Sequence, residues 1–143
     1  MRYKSDFSHS INEIENEFIV MSDGVQLAAR LWVPQTARDN PVPAILEYIP
    51  YRKRDFKRRR DEMNHRYFAG HGYACVRVDI RGSGDSEGVL TDEYLERELK
   101  DGKEIIEWIR RQRWCNGRVG MIGIPYDEKL AVSAHGPDWS LEP

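Results

Sequence analysis

No stretch of this sequence is long and apolar enough to span a bilayer. The opening Met1-Arg2-Tyr3-Lys4-Ser5-Asp6 leads into no hydrophobic run, so neither a membrane helix nor a signal peptide is predicted, and the expected location is cytoplasmic. Cysteine is scarce, with Cys75 in an apolar run and Cys115 after a helical pattern. The pair has no metal-ligand spacing and no histidine in a ligand-like arrangement, so buried thiols are the preferred reading, and no metal or cofactor is expected. An excess of one charge is lacking too. Lys and Arg number 22 against 24 Asp and Glu, a net charge of -2 that argues against a general polyanion binder and against nucleic acid as a partner. No internal repeat or low-complexity segment occurs. What is present is 40% hydrophobic residues, 10% of the chain being aromatic, enough for one globular core in 143 residues.

Periodicity predicts a polar leader over 1–14 and then an alternation of strands and helices. Glu17 to Met21 reads as a strand, Ser22-Asp23-Gly24 as a turn, and Val25 to Val33 as its hairpin partner. Ala44 to Ile49 is apolar enough for a strand inside a sheet and ends at Pro50. From Arg59 to His71 the apolar Met63, Tyr67 and Phe68 recur at helical spacing, with Gly70 and Gly72 at the stop. Tyr73 to Ile80 is a second buried-type strand. A helix capped at Thr91 or Asp92 follows, with Leu95, Leu99, Ile106 and Ile109 on one stripe and an end near Cys115. Gly102 within it predicts close packing on the sheet. Arg118 to Ile124 is the third buried strand. The order hairpin, strand, helix, strand, helix, strand predicts an α/β fold with parallel strands and right-handed crossovers. The weak pattern over 127–143 predicts a divergent tail and an unfinished sheet edge, hence marginal stability or association through that edge.

A literal Gly-x-Ser-x-Gly stands at Gly84-Asp85-Ser86-Glu87-Gly88. In a nucleophile elbow a strand must feed straight into the serine and a helix must leave it at once. Ser86 meets neither condition, and Asp85 and Glu87 flank its hydroxyl with negative charge, so a glycine-rich turn is the better reading. Arg81 beside Asp79 is expected to organise that loop as an ion pair. His9, His65, His71 and His135 have no nucleophile in a recognisable arrangement. Arg52-Lys53-Arg54-Asp55-Phe56-Lys57-Arg58-Arg59-Arg60 is the densest charge block, suited to phosphate or nucleic acid, but a solvated loop and helix start is the preferred reading.

Several segments occur in order: Asp23-Gly24, Tyr48-Ile49-Pro50-Tyr51-Arg52-Lys53-Arg54-Asp55, Gly72-Tyr73-Ala74, Asp79-Ile80-Arg81-Gly82-Ser83-Gly84-Asp85-Ser86-Glu87-Gly88, Asp101-Gly102, Ile106-Glu107-Trp108-Ile109, Gln112-Arg113-Trp114-Cys115-Asn116-Gly117 and Gly120-Met121-Ile122-Gly123-Ile124. Together, over residues 15–126, they resemble the Xaa-Pro dipeptidyl-peptidase and cocaine-esterase-like (CocE/NonD) serine hydrolases. The resemblance implies the amino-terminal part of an α/β-hydrolase domain, an incomplete form of that fold. It also implies hydrolysis of small-molecule esters or of proline-containing peptide amides, without a cofactor.

In that family the elbow reads Gly-x-Ser-[Tyr/Trp]-Gly, so Gly123-Ile124-Pro125-Tyr126-Asp127 places Pro125 at the nucleophile and Asp127 at the second glycine. Proline has no nucleophilic oxygen and fixes φ near about -65°, away from the strained conformation of an elbow residue. A carboxylate at Asp127 opposes an oxyanion forming nearby. By resemblance Tyr51 donates its hydroxyl to the oxyanion, together with the backbone N–H of Tyr126. The family's acid and histidine come from later strands, so the triad is not completed within these 143 residues. The expectation is a segment of the hydrolase that is inactive alone. The alternatives are a subunit needing another chain and a non-catalytic binding module using the Arg52 to Arg60 patch.

Overall fold

The computed structural model describes residues 7–55, 58–90 and 96–123. The strands are β1 (Ile11–Val20), β2 (Gln26–Pro34), β3 (Val42–Tyr48), β4 (Ala74–Val78) and β5 (Cys115–Ile122), and the helices are α1 (Arg58–Gly70) and α2 (Glu96–Arg111), with a 3-10 turn at Gln35–Arg38. They build one five-stranded sheet in the order β1-β2-β4-β3-β5. β1 and β2 form the expected antiparallel hairpin, closed by Gly24 at φ 87° and by the Met21 N–H to Val25 O bond of 2.8 Å. β2 runs antiparallel to β4, whereas β3 is parallel to both β4 and β5. Helices connect β3 to β4 and β4 to β5, the crossover geometry that parallel neighbours require.

The two faces of the sheet differ in chemistry. On one, Leu27, Ala29, Leu31 and Val33 of β2, Ala74, Val76 and Val78 of β4, and Ala44 and Leu46 of β3 pack against Ile105, Ile106 and Ile109 of α2. Each fully buried aliphatic side chain there stabilises the fold by about 1.5–3 kcal/mol. Gly102 is buried in the same helix, as its position against a sheet demands. On the other face a small apolar cluster, Trp32, Ala69 and Cys75, is surrounded by charge: Arg30 of β2, Arg77 of β4 and Glu47 of β3 are all buried.

That charged face corrects the reading of α1. Of the expected apolar stripe, Met63 is 52% and Tyr67 48% exposed and only Phe68 packs on the Trp32 cluster, while Asp61, His65 and Ala69 are buried. A helix packed on arginines and a glutamate buries its own ionisable residues, because an unpaired buried charge costs more than an exposed methionine. Three boundaries also move. β1 begins at Ile11, inside the segment expected as a leader, because Glu13 and Glu15 are strand residues that pair with Arg30. α2 ends at Arg111, and β5 starts at Cys115, earlier than Arg118. Thr91, Asp92 and Leu95, and the whole of the 127–143 tail, lie outside the described residues. Among the described residues β5 is an edge strand.

Candidate active site

In an open α/β sheet the loops at the carboxyl ends of parallel strands face the site. β3 ends at Tyr48, and Ile49-Pro50 carries the chain into the Tyr51 loop, where Tyr51 is 40% exposed. Two side chains of the neighbouring β4 segment grip this loop by its main chain. Arg77 Nη2 donates to the carbonyl oxygen of Tyr51, and the N–H of Lys53 donates to Asp79 Oδ1 at 2.6 Å. Lys53 Nζ is itself buried, 3.3 Å from Asp79 Oδ2 and bonded to Asp85. The Lys53 hydrogen bond, with the charges of Lys53 and Arg54, holds the Asp85 carboxyl below its ordinary pKa.

The glycine-rich loop after β4 is anchored at each turn. Asp85 N–H donates to Asp79 Oδ2 at 3.1 Å, and Gly84, at φ 58°, lies so close that a Cβ there would collide with the Asp79 carboxylate. Ser86 Oγ donates to the Asp79 carbonyl at 2.7 Å and accepts from the Ala28 N–H at 2.8 Å. Glu87 accepts from the Gln26 N–H at 3.0 Å. The hydroxyl of the literal Gly-x-Ser-x-Gly is thus committed to tying β2 to the end of β4. Arg81 does not pair with Asp79 as expected. It donates to Asp101 of α2 at 2.7 and 2.8 Å and to Asp23 of the hairpin turn at 3.0 Å, because Asp79 is already occupied by Lys53 and the loop amides.

Beneath the Tyr51 loop, β3, β4 and α1 share an ionic cluster. His65 Nε2 is 2.8 Å from Glu47 Oε2, Arg77 Nε is 3.2 Å from Asp61 Oδ2, and Arg60 Nη2 is 2.9 Å from Asp61 Oδ1 and bonded to Glu47. Burial pushes the Glu47 pKa up, but His65, Arg77 and Arg60 together outweigh it and leave the carboxyl below its ordinary value. Glu47, Asp61 and His65 offer ligand atoms within 4.8 Å of one another. Two guanidinium groups already balance the two carboxylates, however, so a divalent cation there would add unbalanced charge in a buried place. The set fits an internal ion cluster and does not fit a metal centre.

The basic run is largely spent on internal partners. Lys53 is buried, Arg54 lies 2.9 Å from Asp85, Arg58 2.6 Å from Glu15, and Arg60 on Asp61. Cys75 and Cys115 are free thiols, both buried, and burial pushes Cys75 up to about 12. A cleft lined by Trp108, Trp114, Arg38 and Gln112 lies at the amino ends of β3 and β5, the opposite end of the sheet from Tyr51.

Of the residues singled out for the site, Tyr51 is described, and Pro125, Tyr126 and Asp127 lie outside the described residues. The chain reaches them through Gly123, where a Cβ would stand 2.9 Å from Ile49 Cγ2, so the end of β5 runs against the root of the Tyr51 loop. Lys53 and Asp79 fall within the quoted motifs, but Arg77 and Glu47 are not reached by reading motifs alone. The available signal is a charged residue inside an otherwise apolar strand, Arg77 within Ala74–Val78 and Glu47 within Val42–Tyr48.

Residues 23–136 match the X-Pro dipeptidyl-peptidase (S15 family). A candidate serine esterase of Mycobacterium bovis is 37% identical over 142 residues, covering 82% of this chain and 22% of the relative. The cocaine esterase of a Rhodococcus species is 39% identical over 112 residues, covering 78% of this chain and 19% of the relative. Among solved structures, a CocE/NonD family hydrolase from Staphylococcus aureus superposes with a TM-score of 0.71 at 26% identity, over 86% of this chain and 24% of that one. The chain thus spans about a fifth of the length of the curated relatives it matches. With the strand order, the Tyr51 loop and the glycine-rich loop in place, the chain belongs to the X-Pro dipeptidyl-peptidase (S15) family and forms the amino-terminal part of its α/β-hydrolase fold.

Proposed function

We propose that this segment supplies the oxyanion side of an acyl-transfer site for esters or proline-containing peptide amides, and that it supplies no nucleophile from its own elbow position. The observation that carries the reading is the meeting of the Tyr51 loop with the carboxyl end of β5, where Gly123 packs on Ile49. By resemblance, the Tyr51 phenol, carried on the loop that meets the end of β5, would donate to a carbonyl oxygen as negative charge develops on it, joined by the backbone N–H of Tyr126. At the position of the attacking serine stands Pro125, which has no oxygen to offer and no freedom of φ. Ser86, the serine with the matching local motif, has its hydroxyl bonded to Asp79 and Ala28.

Fluorophosphonate labelling of the purified chain tests this. The expected result is no covalent adduct on any serine, and none after Ser86→Ala. Stoichiometric labelling at a serine would overturn the reading.

A further inference from the structure

We propose that Arg77 and Asp79 are positioning residues for Tyr51, and that the 81–88 loop is the brace that holds Asp79 in place. Its catalytic meaning rests on the role proposed for Tyr51; its geometry does not. Arg77 and Asp79 are two residues apart on an extended segment and so project to the same side. They engage the loop at residues also two apart, the carbonyl of Tyr51 and the N–H of Lys53. The main chain on either side of Arg52 is therefore pinned by one donor and one acceptor, the pattern a strand edge presents, here imitated by side chains.

The support behind each contact is built and buried. Arg77 is held by Asp61 at 3.2 Å and by Glu47 at 3.7 Å, both carboxylates being buried. Asp79 takes the Asp85 N–H, its own carbonyl takes the Ser86 hydroxyl, and Lys53 Nζ closes the ring to Asp79 and Asp85. Burying a lysine and an arginine to fasten a surface loop is costly unless each is matched, and here each is. The result is a rigid floor under a tyrosine that remains 40% exposed. An oxyanion donor needs that arrangement, since it acts by being oriented before charge appears. Gly84 and Ser86 of the 84–88 motif then serve the Tyr51 donor by holding Asp79.

The test uses the full chain with 3-fluorotyrosine introduced at position 51, read by fluorine NMR and by amide hydrogen exchange at Lys53. Asp79→Asn is expected to shift or broaden the fluorine resonance and to speed Lys53 exchange by about tenfold or more, the loss of a hydrogen bond to a charged acceptor. Asp85→Asn is expected to do the same to a smaller extent. Glu104→Gln, which weakens the distant 2.7 Å bonds from Ser22 to α2, should change neither readout even where it lowers stability. If Asp79→Asn does not fold, Asp85→Asn and Lys53→Met decide. An unmoved resonance with unchanged Lys53 exchange in the folded variants overturns the clamp and leaves the proposed function standing. A fluorophosphonate adduct overturns that function and leaves the clamp standing.

Discussion

Glu47 of β3 and His65 of α1 meet through a 2.8 Å contact between Oε2 and Nε2, both groups buried. This contact makes the fold sensitive to acid. Glu47 titrates below its ordinary 4.5 because His65, Arg77 and Arg60 outweigh the burial that pushes it up. In the unfolded chain it binds a proton more readily, so its contribution is complete above that ordinary value and is lost as pH falls through the lower folded value. Asp85, depressed by Lys53, acts in the same direction. The urea midpoint is expected to be flat from about pH 6 to 5 and to fall steeply below about pH 4. Glu47→Gln should shallow that acid limb. Equal midpoints at pH 5 and pH 3 would contradict the assignment.

Replacing Arg77 by Met should cost about 3–5 kcal/mol, because Asp61 and Glu47 lose the fully buried cation they share and keep only the partly exposed Arg60 between them. Adding Asp61→Asn should recover part of the loss. A denaturation double-mutant cycle measures the coupling; simple additivity of the two changes would show that the cluster does not act as a unit.

Gly84 and Gly24 both have positive φ, 58° and 87°, yet only Gly84 faces a buried carboxylate. Gly24→Ala should therefore cost only the conformational strain, about 1–2 kcal/mol. Gly84→Ala should cost more, since its methyl displaces Asp79. Equal losses in thermal or urea unfolding would mean that the Asp79 pocket yields without consequence.

Burial pushes both thiols up, Cys75 to about 12 with Glu47 adding to the effect. Since the thiolate is the reactive form, neither cysteine should react with a disulfide reagent at about pH 8 in the native protein, and both should react in urea. Rapid native labelling of Cys75 would show that the Trp32 side of the sheet opens.

Hydrophobic periodicity reads the strand and helix alternation correctly, because β3, β4 and the α2 stripe bury aliphatic side chains on a face where area alone decides. It misreads α1 and the start of β1 for one shared reason. Met63 and Tyr67 look like a core stripe and Glu13 looks like part of a solvated leader only when the facing surface is assumed to be oil. That surface holds Arg30, Arg77 and Glu47, and pairing between distant segments is invisible to local patterns. The Tyr51 loop is legible through its resemblance to a known family. The contacts that anchor it are not, because Arg77 and Asp79 act on main-chain atoms and leave no pattern at the residues they hold, even though Asp79 itself opens a motif.

The two-faced sheet also governs how the chain finds its pairing. Arg77 stands directly opposite Arg30 on β2 and Glu47 on β3. A slip of one residue in either ladder would turn this row into the aliphatic side and strand its partners on α1 and β1. The aliphatic side cannot discriminate in this way, since one branched side chain there substitutes for another at modest cost. Adhesion and proofreading are thus assigned to opposite sides of the same five strands. Drift in sequence should follow the same division, free exchange among aliphatic residues beneath α2 and only concerted, charge-conserving change beneath α1.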